Sequence, residues 1–153
     1  MDPRKVGDEM TAKEYLEQVH KNDIEIQHLK HRLEVMKDTA ESVRAVSYGG
    51  TKVQTTPESD RIGALYAEID ELERIINDKI LGAAEFKMQV LDEIYQLADD
   101  RYSGILCQRY IYMKPWKEIA KDKGYNHRYL FHLNGQALNE FTKLFQDKLD
   151  SAA

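Results

Sequence analysis

Between Asn126 and Gln136 the chain carries side chains whose types and spacing suit hydrogen bonding to a nucleic acid. Arg128, His132 and Gln136 recur every four residues, and His127 and Phe131 keep the same interval one position earlier. On a helix that interval gathers all five on one face. The guanidinium of Arg128 matches guanine O6/N7 or a phosphate. His132 and Gln136 have donors and acceptors for base edges, and Phe131 suits the methyl of thymine. Lys114, Lys117 and Lys121 lie just upstream, where ammonium groups would hold phosphates and set register rather than read sequence. Read blandly, the same residues are a solvated helix face. Catalysis has no such support. The chain has no glycine-rich phosphate loop, nucleophile elbow or Cys/His dyad, and no cofactor is expected. His20, His28 and His31 lie near Glu25 and Glu34, but no further ligand cluster accompanies them, so no metal site is expected.

Positioning that face requires a helix anchored on its other side. Asn126 is a good N-cap and joins the candidate contacts at the helix start. Leu130, Leu133, Ala137, Leu138, Phe141 and Leu144 supply the inward stripe of a helix expected to run to about Lys148. A shorter helix is expected from Pro115 to near Lys123, since proline suits a first turn and Glu118 gives half of a capping box. Between them Gly124 allows a left-handed turn, and the small Ala120 allows close crossing. Trp116 to Phe141 therefore predicts a helix-turn-helix, with Trp116 in its core. Gly135 inside the second helix costs about 1 kcal/mol against alanine.

Charge is distributed to suit this reading. The 153 residues carry 22 Lys and Arg against 27 Asp and Glu, a net −5. Arg101 to Lys148 contains nine basic and four acidic residues, a local +5 against −10 for the remainder. That excludes nucleic-acid binding by the whole surface and leaves a basic C-terminal segment on an acidic body. A charged fraction of 32% with only three prolines points to long, solvated helices. The single cysteine, Cys107, excludes an internal disulfide and a cysteine-based metal cluster, and fits a reducing compartment. No apolar run is long enough to span a bilayer and the first twenty residues are charged, so neither a membrane helix nor a signal peptide is expected.

Upstream, residues 1–10 lack periodicity and read as a flexible tail. Thr11 and Glu14 form a capping box. It opens a helix expected to reach about Val43, with Ala12, Tyr15, Val19, Asn22, Ile26, Leu29, Leu33, Met36, Ala40 and Val43 at heptad seam positions. Gly49, Gly50 and Pro57 mark a loop over 46–60. Ser59 or Asp60 is expected to cap a second long helix, with a seam of Ile62, Leu65, Ile69, Leu72 and Ile76. Near Ile80 and Ala84 the phase shifts, and Met88, Leu91, Ile94 and Leu97 continue it. Two such helices predict an antiparallel hairpin over 11–97, or seams that pair between copies of the chain. Asp99-Asp100 then breaks the helix and caps a short one from Arg101 to Tyr112, which opens a helix-turn-helix domain over 98–148.

Leu97 to Phe141 resembles region 4 of the sigma-70 family, the part that reads the promoter −35 element. The matching residues are Leu97, Asp99 and Arg101; Leu106, Arg109 and Tyr110; Trp116, Glu118, Ile119 and Ala120; Gly124 and Tyr125; and Ala137 and Leu138. From Met10 onward the chain resembles small prophage proteins of Gram-positive bacteria, related in type to the ArpU/RinA late-gene activators. Met10–Leu16, Ser59–Gly63 and Lys114–Leu138 carry that likeness. Three positions depart from the pattern: Asn126 replaces the usual Ser or Thr cap, Pro115 replaces a hydroxyl that would reach a phosphate, and Phe131 stands where sigma factors often have Arg. Nothing resembles sigma region 2, which opens promoter DNA. The resemblance implies an all-α protein, a coiled-coil-like hairpin followed by a region-4-like domain. It also implies a transcriptional regulator in the bacterial cytoplasm that binds double-stranded DNA and contacts RNA polymerase. Homo-oligomerisation through the hairpin is a further expectation. The alternatives are a DNA-packaging oligomer of small-terminase type and a polymerase adaptor that binds no DNA.

Overall fold

The computed structural model describes residues 10–48 and 57–152. Among these, every regular element is helical, as expected. The order is α1 (Ala12–Tyr48), α2 (Pro57–Ile94), α3 (Asp100–Leu106), a π-helical turn (Cys107–Ile111), α4 (Trp116–Lys123), α5 (His127–Leu144) and α6 (Gln146–Ala152). Residues 1–9 of the tail read over 1–10, and the centre of the expected loop, 49–56, lie outside the described residues. That loop is shorter at both ends than the sequence indicates. α1 continues through Tyr48, and α2 begins at Pro57 rather than at a Ser59 or Asp60 cap, because the proline ring presets φ for a first helical turn.

The chain divides into two compact units. In the first, Asn22–Ala83, the long helices run antiparallel as a hairpin. Lys37 meets Glu73 and Lys79 meets Glu25, each at 2.7 Å, so positions rise along α1 as they fall along α2. These pairs are exposed and contribute about 0–1 kcal/mol each. The apolar seam does more: Ile26, Ala40, Ile69, Leu72 and Ile76 are buried, and the half-buried Leu29, Leu33 and Met36 fill the steps between.

The phase shift expected near Ile80 and Ala84 is met in part: Leu91, Ile94 and Leu97 do reach the core, but the original register also runs on unbroken. Buried and half-buried residues of α2 keep one seven-residue register through Ile62, Leu65, Ile69, Leu72, Ile76, Ala83, Phe86 and Val90, and Leu97 extends it just past the helix. Lys79 and Glu93 occupy the intervening positions, and their charges hide the register from a hydrophobicity count. Ile80 and Met88, assigned to the seam from sequence, are 39% and 57% exposed.

The second unit joins the start of α1, up to Lys21, to the chain from Ala84 onward. The Glu14 N–H donates to Thr11 Oγ1 at 3.1 Å, one half of the expected capping box. Leu16, Ile94, Leu106 and Phe141 are fully enclosed in its core with Tyr110 and Leu149. Each contributes about 1.5–3 kcal/mol by leaving water. The Tyr15 ring packs edge-on to Phe86, centroids 5.5 Å apart, and lies 6.0 Å from Phe141. Its hydroxyl donates to Glu93 Oε1 at 3.0 Å, an oxygen that also accepts from Gln89 Nε2 and Lys148 Nζ. Burial first, and then the Glu93 carboxylate, push the Tyr15 hydroxyl well above its ordinary pKa.

Three local features shape the C-terminal helices. Asp99 caps α3, its Oδ1 accepting from the Arg101 N–H at 2.9 Å, and the Arg101 guanidinium folds back onto the same carboxylate. Those hydrogen bonds hold Asp99 below its ordinary pKa. The helix expected from Arg101 to Tyr112 widens into the π turn at Cys107 and ends at Met113, which takes a left-handed φ of 57°. The single helix expected from Asn126 to Lys148 breaks at Phe145, where φ is −120°. The break turns Phe145 and Leu149 toward the core, 149 being one helical turn beyond 145. Leu144, expected to face inward, is consequently 51% exposed.

Candidate nucleic-acid interface

The turn between α4 and α5 follows from its residues. Gly124 takes φ 69° at the C-terminus of α4, the left-handed conformation that favours glycine. The Tyr125 N–H then reaches back to the Ala120 carbonyl at 3.0 Å. Asn126 caps α5, its Oδ1 accepting from the Tyr129 N–H at 2.8 Å. Beneath the turn, Ile105, Ile119, Ala120, Leu130 and Leu133 form one buried cluster, with Tyr102, Trp116 and Tyr125 packed at its edge. The spacing of these residues thus matches their packing: a helix, a three-residue turn and a second helix pinned on its inner side.

The outer side of α5 presents His127, Arg128, Phe131, His132 and Gln136, all exposed. They are not equally available. Phe131 is 50% exposed, yet its ring lies edge-on to Trp116 with centroids 5.2 Å apart, and His127 leans on it at 6.2 Å. Trp116 in turn lies under the Arg109 guanidinium at 4.7 Å, so it is half-buried and spans core and surface. Gln136 Oε1 accepts from the Tyr102 hydroxyl at 3.4 Å, which leaves its amide hydrogens for another acceptor. The cap likewise occupies Asn126 Oδ1 and leaves its amide donors.

Of the nine basic residues between Arg101 and Lys148, four hold carboxylates: Arg101 on Asp99, Lys114 on Asp122, Lys143 on Glu140 and Lys148 on Glu93. Lys114, a sequence candidate, is thus engaged at 3.4 Å. Arg109 is held by Trp116 and by the Lys114 carbonyl at 3.1 Å. Lys117, Lys121, Lys123 and Arg128 have no ion pair among the described residues. All four lie on α4 or in the first turn of α5.

Two residues outside the sequence candidates belong to this surface. Lys123 extends along α3, its Nζ 3.3 Å from where a Cβ on Gly104 would stand. Tyr129, just exposed, accepts from Arg101 Nη1 at 3.1 Å and stacks edge-on with Tyr125 at 4.9 Å. Lys123 was legible as a basic residue in the last turn of α4. Tyr129 was not, because its role depends on Arg101, 28 positions earlier.

Fold and site together define an all-α protein whose C-terminal helices present a partly basic, partly aromatic face. No family model, curated protein or solved structure matches the chain. Among the described residues, no helix is long and apolar enough to cross a membrane, and no group of three His, Cys, Asp or Glu side chains is placed to hold a metal ion.

Proposed function

We propose that the chain is a DNA-binding transcriptional regulator of phage or prophage origin, recognising promoter or operator DNA through α5. One observation carries this: of the nine cations from Arg101 to Lys148, the four that no carboxylate, carbonyl or ring holds lie on α4 and the start of α5, beside the exposed His127, Phe131, His132 and Gln136. Such an arrangement suits α5 lying in a major groove, with the Lys117 and Lys121 ammonium groups on phosphates and Arg128 reaching a guanine or a phosphate. Phe131, braced by Trp116, offers a fixed apolar edge to a thymine methyl. The sigma region-4-like pattern from Leu97 to Phe141 supports transcription as the setting, with RNA polymerase as protein partner.

Selection of bound duplexes from a random-sequence pool tests the reading. A common sequence element should emerge, and Arg128→Ala should weaken binding to it by about 1–3 kcal/mol while relaxing the preference at one base pair. A pool that yields no enrichment would remove sequence-specific recognition from the account.

A further inference from the structure

The C-terminal half of α2 carries a second apolar stripe that the core leaves largely open. Ala84, Met88, Leu91 and Tyr95 recur at the three- and four-residue steps by which one helix packs along another. Met88 is 57% and Tyr95 64% exposed. Ala84 and Met88, with Phe145 at the break between α5 and α6, supply the apolar side chains that line a groove of about 720 Å³. Among the residues that line the groove, acids outnumber bases. Glu85 and Asp92 line the groove, and neither has an ion pair among the described residues. Lys148 is the lone cation of the lining, and Glu93 already holds it. Glu93 itself is 4% exposed, and its Oε2 is buried with no hydrogen-bond partner.

An apolar floor at helical spacing, bordered by carboxylates that lack counterions, selects its occupant. We propose that this groove docks a basic amphipathic helix of a partner protein. The helix would place apolar residues over Met88 and Phe145 and lysine or arginine against Glu85 and Asp92. A second copy of the chain is the poorer fit. Antiparallel pairing of two such stripes would set Glu85 against Asp92 of the copy, a repulsion that disfavours that arrangement, whereas a basic partner helix offers a counterion to both carboxylates. The groove involves neither α4 nor the exposed face of α5, so this inference stands independently of DNA recognition.

The test uses the full chain and two designed fluorescent peptides. One has leucine at heptad a and d positions and lysine elsewhere; the other has glutamate for lysine. The lysine peptide should bind saturably at physiological salt by fluorescence anisotropy. Met88→Asp should weaken it about tenfold or more, as expected for an anchor at the centre of an interface. The exposed pair Glu85→Lys and Asp92→Lys should also weaken it and should create binding of the glutamate peptide. Val46→Asp, at a side chain 80% exposed elsewhere on α1, should change nothing. Circular dichroism confirms that each variant is folded. Failure of the lysine peptide to bind, or equal binding by Met88→Asp and the unaltered chain, would overturn the proposal. So would a dimer in analytical ultracentrifugation that Met88→Asp dissolves, since the groove would then belong to a second copy.

Discussion

Replacing Lys148 by methionine isolates the interaction that ties α6 to α2 and α1. Methionine keeps an unbranched apolar stem and removes the ammonium. Glu93, 4% exposed, would then keep two donors on Oε1, the Tyr15 hydroxyl and Gln89 Nε2, each at 3.0 Å. Removing one partner of a fully buried ion pair costs about 3–5 kcal/mol, because the other charge is left without compensation. The Lys148 side chain is 39% exposed, so water already screens part of its charge. Two remaining donors and that screening reduce the expected loss to about 2 kcal/mol. For a chain of this length that corresponds to a fall in Tm of about 4–8 °C. Urea unfolding followed by circular dichroism should show the midpoint falling with little change in slope. The double variant with Tyr15→Phe should depart from additivity by about 0.5 kcal/mol or more, because both groups donate to one oxygen. A Lys148→Met variant within about 0.5 kcal/mol of the unaltered protein, and additive with Tyr15→Phe, would refute the reasoning.

Three further outcomes follow from the same geometry. The raised pKa of Tyr15 means that the unfolded chain loses this proton near the ordinary value of 10.0 while the folded chain keeps it. Its contribution to stability is therefore complete below about pH 10 and declines as pH rises further, so Tyr15→Phe should make the alkaline fall in stability shallower in a pH-dependent melt. Asn126→Ala removes the acceptor for the Tyr129 N–H and should cost about 1 kcal/mol in urea unfolding, whereas Asn126→Ser should restore most of it. Gly135→Ala should stabilise the chain by about 1 kcal/mol, since an added Cβ meets nothing within 4 Å; a lower Tm would contradict the open helical environment.

The sequence exposed most of the helix-turn-helix because each of its determinants is local. Gly124, Asn126 and the Leu130–Leu133 step lie within ten positions and act through turn geometry and helical spacing. The hairpin seam of α1 was legible for most of its length, as Ala12, Tyr15, Val19, Ile26 and Ala40 keep one register and are all buried, whereas Val43 at the same register is 41% exposed. The register of α2 was not, because two of its positions are Lys79 and Glu93. A charge at a seam reads as a break until its partner is known, and the partners are remote: Glu25 for Lys79, and Tyr15 and Lys148 for Glu93. The break at Phe145 was hidden for a related reason. Leu144 fits the inward stripe of a straight helix, and only the burial of Leu149 together with the Phe141–Phe145 contact at 4.7 Å favours the bend. On the candidate interface, composition identified the basic segment but not which cations were free, a distinction that depends on ion pairs formed at side-chain level.

The central claim is that α4 and α5 present a DNA-binding face, and salt dependence tests it most directly. Affinity for a duplex carrying a selected site should be measured by fluorescence anisotropy across a salt series. With Lys117, Lys121 and Arg128 on phosphates or bases, log K should fall against log salt with a slope of about −3, and Lys117→Ala with Lys121→Ala should reduce it to about −1. Absence of duplex binding even at about 50 mM salt, or a slope unchanged by the paired substitution, would contradict the account.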